Sequence, residues 1–108
     1  KLLFVVSQST DNLQILDATD GKLKADVKVG AGPLAVVWES VRKLAYVANR
    51  GSDSVAVVDV NGNLAANLPG GSYANHVFTD GKGTVWSVNK ARGLNDPQGD
   101  HISRYAAK

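Results

Sequence analysis

A hairpin that occurs more than once constrains this chain more than any other feature. In Lys43 to Val60, KLAYVANRGSDSVAVVDV, two apolar runs, Leu44 to Ala48 and Val55 to Val58, flank the turn-rich Asn49-Arg50-Gly51-Ser52-Asp53. This is the pattern of strand, tight loop and strand. Residues Leu3 to Asp17 lie without gaps on Ala45 to Asp59 at an offset of 42, with Phe4 on Tyr46, Asp11 on Asp53, Leu13 on Val55, Ile15 on Val57 and Asp17 on Asp59. A third copy starts at Val85-Trp86-Ser87-Val88-Asn89, at an offset of 40. Its second strand, His101 to Tyr105, lies on Ser54 to Val58 at an offset of 47, so the third hairpin loop is seven residues longer.

The strands do not alternate cleanly between apolar and polar residues. Tyr46 and Ala48 point one way and Ala45 and Val47 the other, so both faces of this sheet must be covered. After each of the first two hairpins a turn, Ala18-Thr19-Asp20-Gly21 or Asn61-Gly62-Asn63, leads into a short fourth strand, Leu23 to Val29 or Leu64 to Leu68. The segments Gly30-Ala31-Gly32-Pro33 and Gly70-Gly71-Ser72-Tyr73-Ala74-Asn75 then cross into new strands, Leu34 to Trp38 and His76 to Thr79. Each unit is four antiparallel strands in about 42 residues, inside the roughly 40–45 residue range of propeller blades.

The chain is therefore expected to be all-β, a β-propeller of four-stranded antiparallel blades. With strands lettered a to d from the channel outward, residues 1–30 form a blade lacking strand a, 31–72 a complete blade, and 73–108 a blade lacking strand d, about two and a half blades. Leu3, Val5, Leu13 and Ile15 are expected on an uncovered face at one end, and Val85, Val88 and Ile102 at the other, so that remaining blades or other chains are needed to cover them.

Composition narrows the chemistry. The 108 residues contain no cysteine, which excludes disulfides and thiolate metal sites, and no apolar run long enough to cross a bilayer as a helix. The formal net charge of +2 permits an anionic partner without the dense basic stripe of a dedicated nucleic-acid module.

Tyr46-Val47-Ala48-Asn49, followed by Ser52-Asp53-Ser54-Val55-Ala56-Val57-Val58-Asp59, resembles the YVTN repeat of bacterial and archaeal β-propellers, and the chain as a whole resembles the final blades of the YncE-like periplasmic propellers. The Thr of that repeat is Ala48 here and Val6 in the first copy, and the Gly-Pro of Gly32-Pro33 becomes Ala74-Asn75 in the next unit. The resemblance implies the C-terminal part of a ring of about seven blades, a periplasmic or secreted location and a binding rather than catalytic role.

Motifs that suggest chemistry have structural explanations. Gly30-Ala31-Gly32-Pro33-Leu34-Ala35 matches the start of a dinucleotide fingerprint, but that motif needs a helix, and Leu34 to Trp38 is β-branched and aromatic. His76 and His101 have no acidic residue at a ligand spacing, and Asp96-Pro97-Gln98-Gly99-Asp100 lacks the alternating oxygen ligands of a calcium loop. Ser7, Ser9, Ser52, Ser54 and Ser87 lie in no nucleophile elbow. Asp17 and Asp59 recur before turns, as residues that accept main-chain N–H bonds do. Trp38, Tyr46, Trp86 and Tyr105 suit the gaps between blades. No catalytic residue, metal site or cofactor is expected.

In a propeller the b–c loops and d–a crossovers share one face, and the long b–c loop Lys90 to Gly99 adds to it. That face collects Arg50, Tyr73, Asn75, His76, Lys90 and Arg92, with Asp11, Asp53, Asp96 and Asp100 interspersed. It suits a protein or an anionic ligand. Single-stranded DNA is the alternative, through cations and an exposed aromatic. A second alternative is an enzyme whose catalytic residues lie in blades outside this sequence.

Overall fold

A computed structural model describes residues 1–70, 72–90 and 101–105. Strands run over Leu2–Ser7 (β1), Asn12–Asp17 (β2), Leu23–Lys28 (β3), Pro33–Glu39 (β4), Leu44–Asn49 (β5), Ser54–Asp59 (β6), Leu64–Pro69 (β7), Ala74–Thr79 (β8), Val85–Asn89 (β9) and His101–Tyr105 (β10). Among the described residues the helical structure is one 3-10 turn, Arg50–Ser52. The strands form three antiparallel sheets, β1-β2-β3, β4-β5-β6-β7 and β8-β9-β10. The fold is all-β, built of propeller blades. Pro33–Glu39 is a strand, which removes the helix that a dinucleotide site needs.

The repeat reaches into the irregularities of the sheets. Register shifts fall between Ile15 and Leu16 against β3 and between Val57 and Val58 against β7, the same repeat position in each unit. A second matched pair lies where β4 and β8 begin, at Pro33/Ala35 and Ala74/His76. Such shifts bend and twist a strand, as a wedge-shaped blade requires.

The core lies between sheets. Ala45, Val47, Ala56 and Val58 face the first sheet and meet Leu13, Ile15 and Val27, with Phe4, Val6 and Val36 around them. Tyr46, Ala48, Val55 and Val57 face the third and meet Ala74, Val77 and Val85. A fully buried valine such as Val47 contributes about 1.5–3 kcal/mol by leaving water. The buried acid at one end of this packing is satisfied. Glu39, fully buried, accepts the N–H groups of Val41 (2.9 Å) and Arg42 (2.8 Å) and shapes the β4–β5 turn. Arg42 donates to the Tyr46 hydroxyl (3.0 Å) and across to the Gly83 carbonyl (2.9 Å), tying the second sheet to the third.

The end faces differ from expectation at three residues. Leu13, Ile15 and Val85 are fully buried, because cross-strand register decides which residues share a face. Val6 pairs with Leu13 and Phe4 with Ile15, so these four turn toward the second sheet, while Leu3 pairs with Leu16 on the outer side and is 51% exposed. In the third sheet Val85 turns inward. The outer side carries the paired Val88 and Ile102, the latter 62% exposed, beside Phe78 stacked on Trp86 with ring centroids 5.5 Å apart.

Among the described residues, two clefts mark sheet edges. One, of about 480 Å³, runs beside Tyr105 of β10 and is lined by Tyr46, Val57, Ala66 and Leu68. The other, of about 320 Å³, is lined by Leu2, Phe4 and Trp38, with the Phe4 and Trp38 rings 5.3 Å apart.

Candidate functional site at the loop and crossover face

The site is built on a hydrogen-bond frame that occurs twice. Asp11 and Asp53 close the first two b–c loops in the left-handed region, at φ 59° and 53°, a conformation that aspartate tolerates better than most residues. From there each carbonyl accepts the N–H that ends the fourth strand, from Val29 at 3.1 Å and from Gly70 at 3.0 Å. Each carboxylate accepts a crossover N–H, from Gly32 at 2.9 Å and from Tyr73 at 2.9 Å. The crossover carbonyls then accept an N–H from the neighbouring hairpin, Gly32 from Arg50 at 3.0 Å and Tyr73 from Lys90 at 3.1 Å. Each aspartate thus joins one unit to the start of the next.

The two frames hold different residues. Gly32 sits at φ 61°, where a glycine is free of Cβ strain, and an added Cβ there would lie 3.3 Å from the Gly51 nitrogen. Its counterpart by hydrogen bonding and register is Tyr73, one residue before the Ala74 that the sequence repeat sets against Gly32. Tyr73 adopts φ 46°, an outlier for a bulky side chain that costs on the order of 1–2 kcal/mol. The guanidinium carbon of Arg50 lies 4.5 Å from the centroid of the Tyr73 ring, a cation–π stack. In the first copy the residues at these positions are Gln8 and Gly32.

Of the residues expected at this face, the structure brings together Arg50, Tyr73 and the main chain of Lys90. Asn75, the second residue of β8, follows Tyr73 closely, and among the described residues its buried Oδ1 has no hydrogen-bond partner. His76 is exposed, and strand alternation puts it on the Phe78 side of β8, away from buried Val77. Arg92 lies outside the described residues, as do Asp96 and Asp100.

The sequence pattern did not single out Asn49. It is fully buried, donates from Nδ2 to Ser54 Oγ at 3.2 Å, and among the described residues its Oδ1 has no hydrogen-bond partner. The signal for the aspartate links was the recurrence of Asp11 at Asp53, although a sequence cannot show which N–H each carboxylate meets.

Ser52, Ser54, Asp17 and Asp59 are engaged in the fold. Ser52 Oγ accepts the Ala31 N–H at 3.0 Å and lies 3.0 Å from Ser54 Oγ. Asp17 accepts the Thr19 N–H at 2.8 Å, and Asp59 accepts those of Asn61 and Asn63, each at 2.9 Å. Both carboxyls are held below their ordinary pKa, first by a main-chain donor, Thr19 for Asp17 and Asn63 for Asp59.

No family model matches the chain, and no curated protein matches it. Solved structures do. Hydrazine synthase from Kuenenia stuttgartiensis superposes with a TM-score of 0.76 at 26% identity, over 82% of this chain and 26% of that one. A functionally unknown protein from Desulfotomaculum acetoxidans superposes with a TM-score of 0.69 at 18% identity, over 83% of this chain and 32% of that one. Both are propeller-type proteins, and the chain spans about a quarter to a third of their length.

Proposed function

We propose that this chain is part of a YncE-like propeller that binds a ligand on the face of b–c loops and d–a crossovers and performs no chemistry of its own. The observation that carries this reading is Tyr73, a strained tyrosine under a stacked arginine where the preceding copy holds an unstrained glycine. Residues that depart from a repeat at a cost, on its loop face, are the ones a ligand selects. Asp11, Asp53, Asp17 and Asp59 each accept main-chain N–H groups and are occupied in shaping turns, which favours binding over catalysis. The enzyme name belongs to the hydrazine synthase, of which this chain spans 26%. The exposed faces at Leu3 and Ile102 call for further blades or another chain, and the resemblance to YncE-like proteins favours a periplasmic or secreted setting.

Amide chemical-shift mapping of the full protein with a small dicarboxylate and with an oligothymidylate tests this reading. Shifts are expected at Arg50, Tyr73, Asn75 and Lys90. Shifts confined to the opposite face, around Arg42, Asn61 and Lys82, would refute it. Oligothymidylate binding that falls steeply with salt would favour the single-stranded DNA alternative.

A further inference from the structure

Within that binding face, and resting on that reading of it, we infer that Arg50 and Tyr73 form a subsite for the carboxylate group of an anionic ligand. Three observations meet there. The Arg50 guanidinium carbon lies 4.5 Å from the Tyr73 ring centroid, a cation–π contact that holds the cation against the ring. Its N–H edge stays available: among the described residues no carboxylate or other hydrogen-bond acceptor meets the Arg50 side chain. Tyr73, finally, is held in place by two main-chain bonds, its N–H to Asp53 Oδ1 at 2.9 Å and its carbonyl from the Lys90 N–H at 3.1 Å. The ring is thus a fixed platform, and the strain of its φ 46° is sustained by the frame beneath it.

The chemistry of the edge selects the ligand. A guanidinium offers two parallel N–H groups that match the two oxygens of a carboxylate, and contact with the ring limits where this one can go. Phosphate is the poorer fit. A dianion would need more than one paired cation, and the carboxylate of Asp53, bound to the Tyr73 N–H, adds like-charge repulsion close by.

The test uses the full protein, isotopically labelled, with acetate and inorganic phosphate as probes at matched ionic strength. The side-chain Nε–H of Arg50 and the amide of Tyr73 report binding. Acetate should shift both saturably. Arg50→Gln, which installs the residue found at Gln8 in the first copy, should abolish the effect. Arg50→Lys keeps the charge but not the fork and should weaken binding about tenfold, as loss of a bidentate charge-assisted pair does. Tyr73→Gly, which copies Gly32, should weaken it several-fold with the melting temperature unchanged. Phosphate binding as tight as acetate would overturn the carboxylate assignment. Acetate shifts at Lys90 and Asn75 with Arg50 unmoved would overturn the subsite and leave the face reading standing. Probes that shift only the opposite face would count against both.

Discussion

The junction between the first and second sheets and the junction between the second and third are made from the same parts and finished differently. In both, an aspartate in the left-handed region takes one N–H on its carbonyl and another on its carboxylate, from a crossover residue that also has positive φ. At the first junction that residue is glycine. At the second it is Tyr73 with Arg50 over its ring. The shared bonds show what the architecture requires, and Gly32 shows that a tyrosine is not part of the requirement. What the repeat keeps speaks for the fold, and what it changes at a cost speaks for use.

The packing of the two junctions should give the largest effects, because the repeat supplies its own control. Leu13, Val55 and Ile102 occupy one repeat position. The first two are fully buried, one at each junction, and Ile102 is 62% exposed. In urea unfolding, Leu13→Ala should cost about 3 kcal/mol and Val55→Ala about 2 kcal/mol, from lost burial and the cavity left behind. Ile102→Ala in the same chain should stay within about 0.5 kcal/mol. Equal tolerance of Leu13→Ala and Ile102→Ala would mean that the first junction is not closed by these contacts. A large cost at Ile102 would mean that its face is covered in solution.

The crossovers come next in size. Asp11→Ala and Asp53→Ala each remove an acceptor from a crossover N–H and put alanine in the left-handed region. Each should lower stability by about 2 kcal/mol, equally at the two junctions. Exchanging the crossover residues should split them. Gly32→Ala introduces positive-φ strain and a Cβ 3.3 Å from the Gly51 nitrogen, for about 1–2 kcal/mol. Tyr73→Gly should stay within about 0.5 kcal/mol of the parent, since relief of strain is offset by the lost stack, itself about 0.5–1 kcal/mol. Thermal melts of the four variants separate these outcomes. A neutral Gly32→Ala would show that positive φ carries no cost in this frame and would remove the argument drawn from Tyr73.

Much of the architecture was legible in the sequence because propeller blades repeat, and a repeat turns weak local signals into a shared pattern. Val85 to Asn89 and His101 to Tyr105 were placed to the residue. Which face a residue takes was harder to read. With apolar residues on both sides of β1 and β2, alternation alone leaves open whether Leu13 goes with Leu3 or with Val6, and the pairing of Val6 with Leu13 across the hairpin decides it. The candidate site was legible as a neighbourhood, through Arg50, Tyr73 and Lys90. The stack of Arg50 on Tyr73 was not, since it depends on a backbone angle that no residue preference for tyrosine would suggest. The carboxylate bonds of Asp11 and Asp53 join residues about twenty positions apart, beyond the reach of turn rules.

The smallest effect concerns pH, and it sets the first two units against each other at their c–d turns. Asp17 and Asp59 occupy one repeat position, and both have a folded pKa below the ordinary carboxylate value. A carboxylate of this kind adds stability that is complete above its unfolded pKa and is lost as pH falls through the folded one. The two turns are not equally built. Asp17 accepts the N–H of Thr19. Asp59 accepts those of Asn61 and Asn63 on Oδ1 and the Asn63 side-chain amide on Oδ2 at 3.1 Å. Protonation removes more at Asp59, so Asp59→Asn should flatten the fall in melting temperature from about pH 5 downward more than Asp17→Asn does. Equal flattening by the two variants would mean that one main-chain bond accounts for the acid sensitivity of both turns and that the extra donors around Asp59 act on the neutral turn alike.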